Sequence, residues 1–295
     1  MAHFTARLAV AAATLWLACP AGMAAQARER VAFVSVVDRK TGAPLEALTS
    51  RDIVIREDRV TREVLRVSPA TGPLPLAIVV DNSAAAEPAI ADIRTALTAL
   101  VSTLGDVGPI ALITMGDRPT VIVDYTTSRE AVAKGITRIF ARPDSGATLL
   151  EAVLETSRGL VKREGERAAL VVVSVNGVEH SAVDSSRALA ALKTSGATLH
   201  AVVLSPPGRT SFDYAARQRD MLLDRGVRDT GGVRRDVLAS MAFAPALADL
   251  ARAITNQFRV VYARPQSLIP PDSFEVAASA PGHSAYGTPA RGQPR

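Results

Sequence analysis

Five consecutive aliphatic residues, Leu76-Ala77-Ile78-Val79-Val80, run without a polar break into Asp81-Asn82-Ser83. A short apolar run with no alternation is the signature of a strand covered on both faces, as in parallel sheets flanked by helices. Such a strand delivers its last residues to the carboxyl edge of the sheet, where open α/β sheets place ligand sites. A carboxylate, an amide and a hydroxyl at that point constrain the fold and nominate a site together.

The rest of the chain extends the same pattern. Further strand-like runs occupy residues 109–115, 121–125, 168–174, 198–205 and 258–262. Between them lie apolar stripes at helical spacing. Ile90, Ile93, Leu97, Leu100 and Leu104 form one; Val132, Ile136 and Ile139 form another behind Ser128 as N-cap. Leu149, Val153, Leu154 and Leu160 follow Thr148, and Leu247, Leu250, Ala251 and Ile254 close the series, with Pro245 tolerable in a first turn. Gly116-Asp117-Arg118-Pro119-Thr120 suits a hairpin, which makes the strand after it antiparallel and places it at a sheet edge. The predicted fold is α/β: a doubly wound, mostly parallel, Rossmann-like sheet with one antiparallel edge strand, over residues 73–265.

Residues 28–72 read as a small β module, with strands at 31–37, 52–58 and 62–67. Three short strands are marginal alone, so a late strand at Phe274–Ala278, within residues 273–279, is expected to complete the module. Residues 206–235 read as a long surface excursion with one helical turn around 214–223. Thr230-Gly231-Gly232 reads as a turn before the last helix rather than a phosphate loop, since it lacks the flanking Gly and Lys. Residues 266–295 are expected to hold that late strand and a disordered tail from Pro281, where Pro, Gly and Ser are frequent.

Composition and leader narrow the classes. With 48% hydrophobic and 21% charged residues the chain is globular, and 34 Lys and Arg against 29 Asp and Glu is a mild, scattered excess. No aromatic residues interleave with it, so no nucleic-acid face is expected. Residues 1–27 have the form of a signal peptide: His3 and Arg7, an apolar stretch from Leu8 to Leu17, then Ala24, Ala25 and Ala27, which fit cleavage after Ala25 or Ala27. Retention as an anchor is the alternative, although the apolar stretch is short for a permanent span. The single cysteine, Cys19, lies in this segment behind a poor lipoprotein motif, so the mature chain needs no disulfide. The expectation is an exported protein, periplasmic or secreted, with no stable transmembrane segment after cleavage.

Two more oxygen-rich loops follow the first, Ser145-Gly146-Ala147-Thr148 and Ser174-Val175-Asn176-Gly177. With Asp81-Asn82-Ser83-Ala84-Ala85 they resemble the metal-ion-dependent adhesion site of von Willebrand factor A domains, whose loops carry Asp-x-Ser-x-Ser, a Thr and an Asp. The β segment ending Glu57-Asp58, the entry Leu74-Pro75-Leu76, Thr230-Gly231-Gly232 and the run Asn256-Gln257-Phe258-Arg259-Val260-Val261-Tyr262 are similar to the bacterial von Willebrand factor A-related family. That likeness covers residues 31–280. It implies Asp81, Ser83 and Thr148 as ligands of Mg²⁺, Mn²⁺ or Ca²⁺, the ions that hard oxygen donors suit, and a protein partner at the strand-end loops. This chain departs from the pattern twice, with Ala85 for the second Ser and Asn176 for the Asp. Glu87 and Asp144 are near enough in sequence to supply a replacement carboxylate. The other reading keeps Asp81 as an acceptor for loop amides and for Ser83 or Thr148, with no ion.

Catalysis is not expected. Of the four histidines, His3 is in the leader, His283 in the tail, and His200 mid-strand. His180 follows the third loop and could approach Ser83 and Asp81 as a hydrolase would require, but Gly-x-Ser-x-Gly and other oxyanion signatures are absent. The basic residues Arg225, Arg228, Arg234 and Arg235 suit a solvated face. The function expected is recognition of a protein partner at the strand-end loops. The alternative is a structural or assembly subunit of an envelope complex, joined through the β module and residues 206–235.

Overall fold

A computed structural model describes residues 27–205, 213–266, 269 and 271–292; the leader residues 1–26 and the Pro206-Pro207-Gly208 stretch lie outside them. Strands β1 (Ala27–Asp38), β2 (Ile53–Glu57), β3 (Val60–Arg62) and β4 (Val64–Pro69) come first. Next are β5 (Leu76–Val80), α1 (Ile90–Leu104), β6 (Ile110–Thr114), β7 (Thr120–Thr126), α2 (Arg129–Thr137) and α3 (Leu149–Val161). Then follow β8 (Ala169–Val175), α4 (Ser185–Ser195), β9 (Thr198–Leu204), α5 (Tyr214–Asp229), β10 (Arg234–Val237) and α6 (Phe243–Thr255). The chain closes with β11 (Phe258–Pro265), β12 (Phe274–Ala278) and β13 (His283–Pro289).

The central sheet has six strands in the order β10-β9-β8-β5-β6-β7, parallel except for β7, which runs antiparallel to β6 at the edge. It is the doubly wound sheet that the uninterrupted aliphatic runs predict. Every residue of β5, β6, β8 and β9 is buried, because side chains of alternating direction enter two separate cores. Leu76, Ile78 and Val80 pack with Ile93, Leu97 and Leu250 on the side of α1 and α6. Ala77 and Val79 pack with Val153, Leu192 and Leu222 on the side of α3, α4 and α5.

A second body is built from both ends of the chain. Strands β13-β1-β11-β4 form one sheet and β12-β2-β3 another. Phe274–Ala278 pairs antiparallel with Ile53–Glu57, so the late strand and the early ones share hydrogen bonds. Alternation in β1 explains the layering. Ala32, Val34 and Val36 enter the sandwich core with Ile53, Ile55, Val260 and Tyr262. Phe33 and Ser35 point the other way, toward the central sheet's layers: the Arg167 guanidinium lies 5.5 Å from the Phe33 ring centroid, and the Ser35 hydroxyl donates to the Ala253 carbonyl of α6 at 2.7 Å.

Three expectations are corrected. Residues 258–262, read as part of the alternating α/β series, belong to β11, which leaves the central sheet and pairs with β1 and β4. The sixth central strand is β10 instead. Residues 206–235, read as a surface excursion with one helical turn, instead form helix α5 and the start of strand β10 where they are described, and Thr230-Gly231-Gly232 is the turn between them. The tail, expected to be disordered from Pro281, contributes β13, paired with β1 from Asp38 to Ala32.

Candidate functional site

Because β5, β6, β8, β9 and β10 are parallel, their carboxyl ends form one rim, and β7 begins there. The three loops named from sequence meet on it. Asp81 directly follows β5 and is 0% exposed. Its Oδ1 accepts the Ser83 amide at 2.9 Å, an Asx-type turn that bends the chain into the 3-10 turn Ala84–Ala89. Its Oδ2 accepts the Val175 amide at 3.0 Å and the Ser174 hydroxyl at 3.4 Å, which ties β5 to the end of β8. Burial pushes the Asp81 carboxyl above its ordinary value, and these donors pull the other way.

Asn82 holds the neighbouring segments. Its Oδ1 accepts the Gly116 amide at 2.7 Å and its Nδ2 donates to the Phe140 carbonyl at 3.0 Å. Backbone bonds join the loops to one another: Ala84 N–H to Ser145 at 3.1 Å, Asp117 N–H to Gly146 at 2.9 Å, and Ala147 N–H to Val178 at 2.9 Å. Thr148 is buried, and its hydroxyl donates to the Met115 carbonyl at 2.9 Å.

The open amides at the start of α3 are satisfied by the third loop, a feature sequence reading missed. Glu179 Oε1 accepts the Leu149 amide at 3.0 Å and the Ser181 hydroxyl, and Ser181 Oγ accepts the Leu150 amide at 3.0 Å. A carboxylate at a helix amino terminus is favourable, yet burial pushes this carboxyl up to about 7. The signal was an acid and a serine in the few residues after Asn176-Gly177, opposite an α3 with no capping side chain of its own. Arg219, buried on α5, donates to the Gly177 carbonyl at 2.8 Å and fixes the same loop from outside.

The metal expected from the resemblance can be tested against these donors, and they do not fit a divalent ion. Two acids are buried on these loops: both Asp81 oxygens are engaged, and Glu179 is turned to the start of α3, where its Oε1 accepts the Leu149 amide while its Oε2 makes no hydrogen bond. A Cβ at Gly177 would lie 2.4 Å from the Ala85 Cβ, so the first and third loops touch at the place where the pattern has its two missing donors. Glu87 and Asp144 are exposed and do not replace them. Among the described residues no group of three His, Cys, Asp or Glu side chains could hold a metal. His180 is exposed, with its ring over Gly146, and Asp81 takes its hydrogen bonds from Ser83, Ser174 and Val175, so a Ser83-His180-Asp81 relay is not assembled.

What the rim does present is apolar. Val178 is 60% exposed after β8, Phe140 65% between α2 and α3, and Leu238 and Met241 are 69% and 76% exposed after β10. Beside Phe140 lies a shallow groove of 670 Å³ bordered by Asn82, Asp117, Thr120, Ile122 and Arg142.

Residues 76–177 match the family model described as von Willebrand factor type A domain. A solved structure described as von Willebrand factor type A from Catenulispora acidiphila covers 92% of this chain and 67% of its own, at 10% identity and a TM-score of 0.52. Proximal thread matrix protein 1 from the mussel byssus covers 68% of this chain and 50% of its own, at 14% identity and a TM-score of 0.50. The conserved hypothetical protein BatB from Bacteroides thetaiotaomicron covers 61% of this chain and 98% of its own, at 14% identity and a TM-score of 0.48. No curated protein matches. The six-stranded sheet and the loops on its carboxyl edge agree with the family match, so residues 76–177 are similar to a von Willebrand factor type A domain in sequence pattern and in fold.

Proposed function

We propose that the protein is an exported, non-catalytic recognition module that binds a protein partner on the strand-end rim. The carrying observation is the set of exposed apolar side chains Phe140, Val178, Leu238 and Met241, spread along one edge of a rigid sheet. Large exposed apolar side chains recurring along one edge are a feature that protein interfaces use as anchors. Loops tied by backbone hydrogen bonds favour binding without large rearrangement, since little ordering entropy is left to lose. Export rests on the leader-like residues 1–27. No helix of the described residues is long and apolar enough to cross a membrane.

The alternative, an assembly subunit joined through its β module, is favoured by Val60 and Leu65, exposed on β3 and β4. Site-directed photo-crosslinking in the native host separates the two. A crosslinking residue at Phe140, Val178 or Leu238 should trap one discrete protein, and the same residue at Val60 or Leu65 should not. Adducts from Val60 and Leu65 alone would transfer the function to the β module.

A further inference from the structure

We infer that the centre beneath the rim is a metal-free lock, in which direct hydrogen bonds and side-chain contact hold the three loops at the place where an adhesion-type site carries its ion. The inference concerns the same loops as the proposed interface but stands whether or not a partner binds there.

A carboxylate offers about four lone-pair sites, and Asp81 has three in use, from Ser83 N–H, Val175 N–H and Ser174 Oγ. An ion would have to displace these donors from the Asp81 carboxylate in a buried place, where a donor left unsatisfied is costly. The volume is also taken. Ala85 and Gly177 approach so closely that a single added carbon on Gly177 would fall 2.4 Å from the Ala85 Cβ. These loops are the ones that would have to part to admit an ion and its waters, which Mg²⁺ in particular gives up reluctantly. Charge points the same way: of the two buried acids on these loops, Glu179 caps α3 and is pushed up to about 7 by burial, which leaves Asp81 to balance most of two positive charges in a desolvated place.

The donors that remain from the pattern have been turned to other uses. The Thr148 hydroxyl donates its proton to the Met115 carbonyl, just past the end of β6. Ser83 Oγ is buried and makes no hydrogen bond of ordinary geometry; it lies near enough to Asp81 to help hold that carboxyl down, a weaker role than that of a ligand in a loaded site. The lock therefore depends on Asp81 and hardly on Ser83. A metal site would depend on both.

That contrast gives the test. The full mature chain, stripped with chelator, is titrated calorimetrically with MnCl₂, MgCl₂ and CaCl₂, and its melting temperature is followed with and without each ion. The lock predicts no saturable heat up to about 10 mM ion, a range in which weak oxygen-ligand sites fill. It also predicts that Ser83→Ala melts at or above the wild-type temperature, whereas Asp81→Ala melts well below it. Non-saturating shifts shared by wild type and Ser83→Ala are bulk ion effects and agree with the lock. Saturable binding by the wild type that Ser83→Ala abolishes would overturn it. Should Asp81→Ala fail to fold, the wild-type and Ser83→Ala titrations decide alone.

Discussion

At the scale of single residues, two buried titratable groups set opposite pH dependences. Burial raises Glu179 from 4.5 to about 7, so the folded chain holds a proton that the unfolded chain has released. Its contribution to stability is full below pH 4.5 and is lost as the pH rises through 7. His200 behaves inversely. Its Nδ1 accepts the Val233 amide at 3.1 Å, and burial pushes the imidazole from 6.5 down to about 4. Its contribution is present above pH 6.5 and is lost as the pH falls toward 4. The two slopes oppose each other between pH 4.5 and 6.5. Glu179→Gln should unmask the His200 slope, losing stability as the pH drops from 6.5 to 4.5, on the order of 1–3 kcal/mol over the interval. Urea unfolding of both proteins across that interval checks it. Parallel curves for wild type and Glu179→Gln would remove Glu179 as a source of the dependence.

Asp81, Ser83, Thr148 and Asn176 were legible in the sequence because a strand end and two loops announced them. Their use was not. Whether an oxygen binds an ion or a neighbouring amide depends on where loops close in space, and the Ala85–Gly177 contact joins residues far apart in the chain.

Among elements, those with a strong pattern were legible and those with a diluted one were not. Helix α1 follows an uninterrupted stripe of large aliphatics, and Ser128 caps α2 by accepting the Ala131 amide at 3.2 Å. Helix α5 was read as a single turn because its buried residues, Ala216, Leu222, Leu223 and Val227, are sparse among charges. Its start is marked by Asp213, which accepts the Ala216 amide at 2.7 Å. The following turn shows why two glycines stand together. A Cβ on Gly231, at φ +66°, would fall 1.7 Å from the Gly287 carbonyl oxygen, and one on Gly232 would fall 1.8 Å from that of Leu199. Both obstacles are backbone and cannot turn aside. Gly232→Ala should destabilise the protein by about 3 kcal/mol or more, at the severe end of single substitutions. A melting curve within about 2 °C of the wild type would show that the turn has more room than these contacts allow.

Strand β13 has the same lesson for composition. Pro, Gly and Ser argued for disorder, but β1 offers an open edge, and seven residues of tail register along it. Arg291 then fastens the tail to the central domain, donating to the carboxyl-terminal carbonyls of two helices, Leu160 of α3 at 2.7 Å and Ser195 of α4 at 2.8 Å. A cation there complements both helix dipoles. Arg291→Ala should cost about 1–2 kcal/mol in urea unfolding, as lost charge-assisted hydrogen bonds do. No loss would make the strap incidental.

For the whole molecule, early and late strands meet in one sandwich, and that sandwich rests on the central domain where Phe33 meets Arg167 and Ser35 meets helix α6. Sequence could suggest that early and late strands join, since each alone lacks partners. It could not show β11 changing sheets, because a strand buried on both faces reads alike in either. Held from below in this way, the central α/β domain keeps its strand-end rim on the surface, with Phe140 and Val178 standing out from it.

The most direct test is the affinity of the partner trapped at that rim, measured with chelator present for the wild type, Phe140→Ser, Val178→Ser and a Val60→Ser control. The account predicts that each rim substitution weakens binding tenfold or more, roughly the 1.4 kcal/mol expected of a central apolar anchor. Chelator and Val60→Ser should leave it unchanged. Affinity that survives both rim substitutions, or collapses with Val60→Ser, would contradict it.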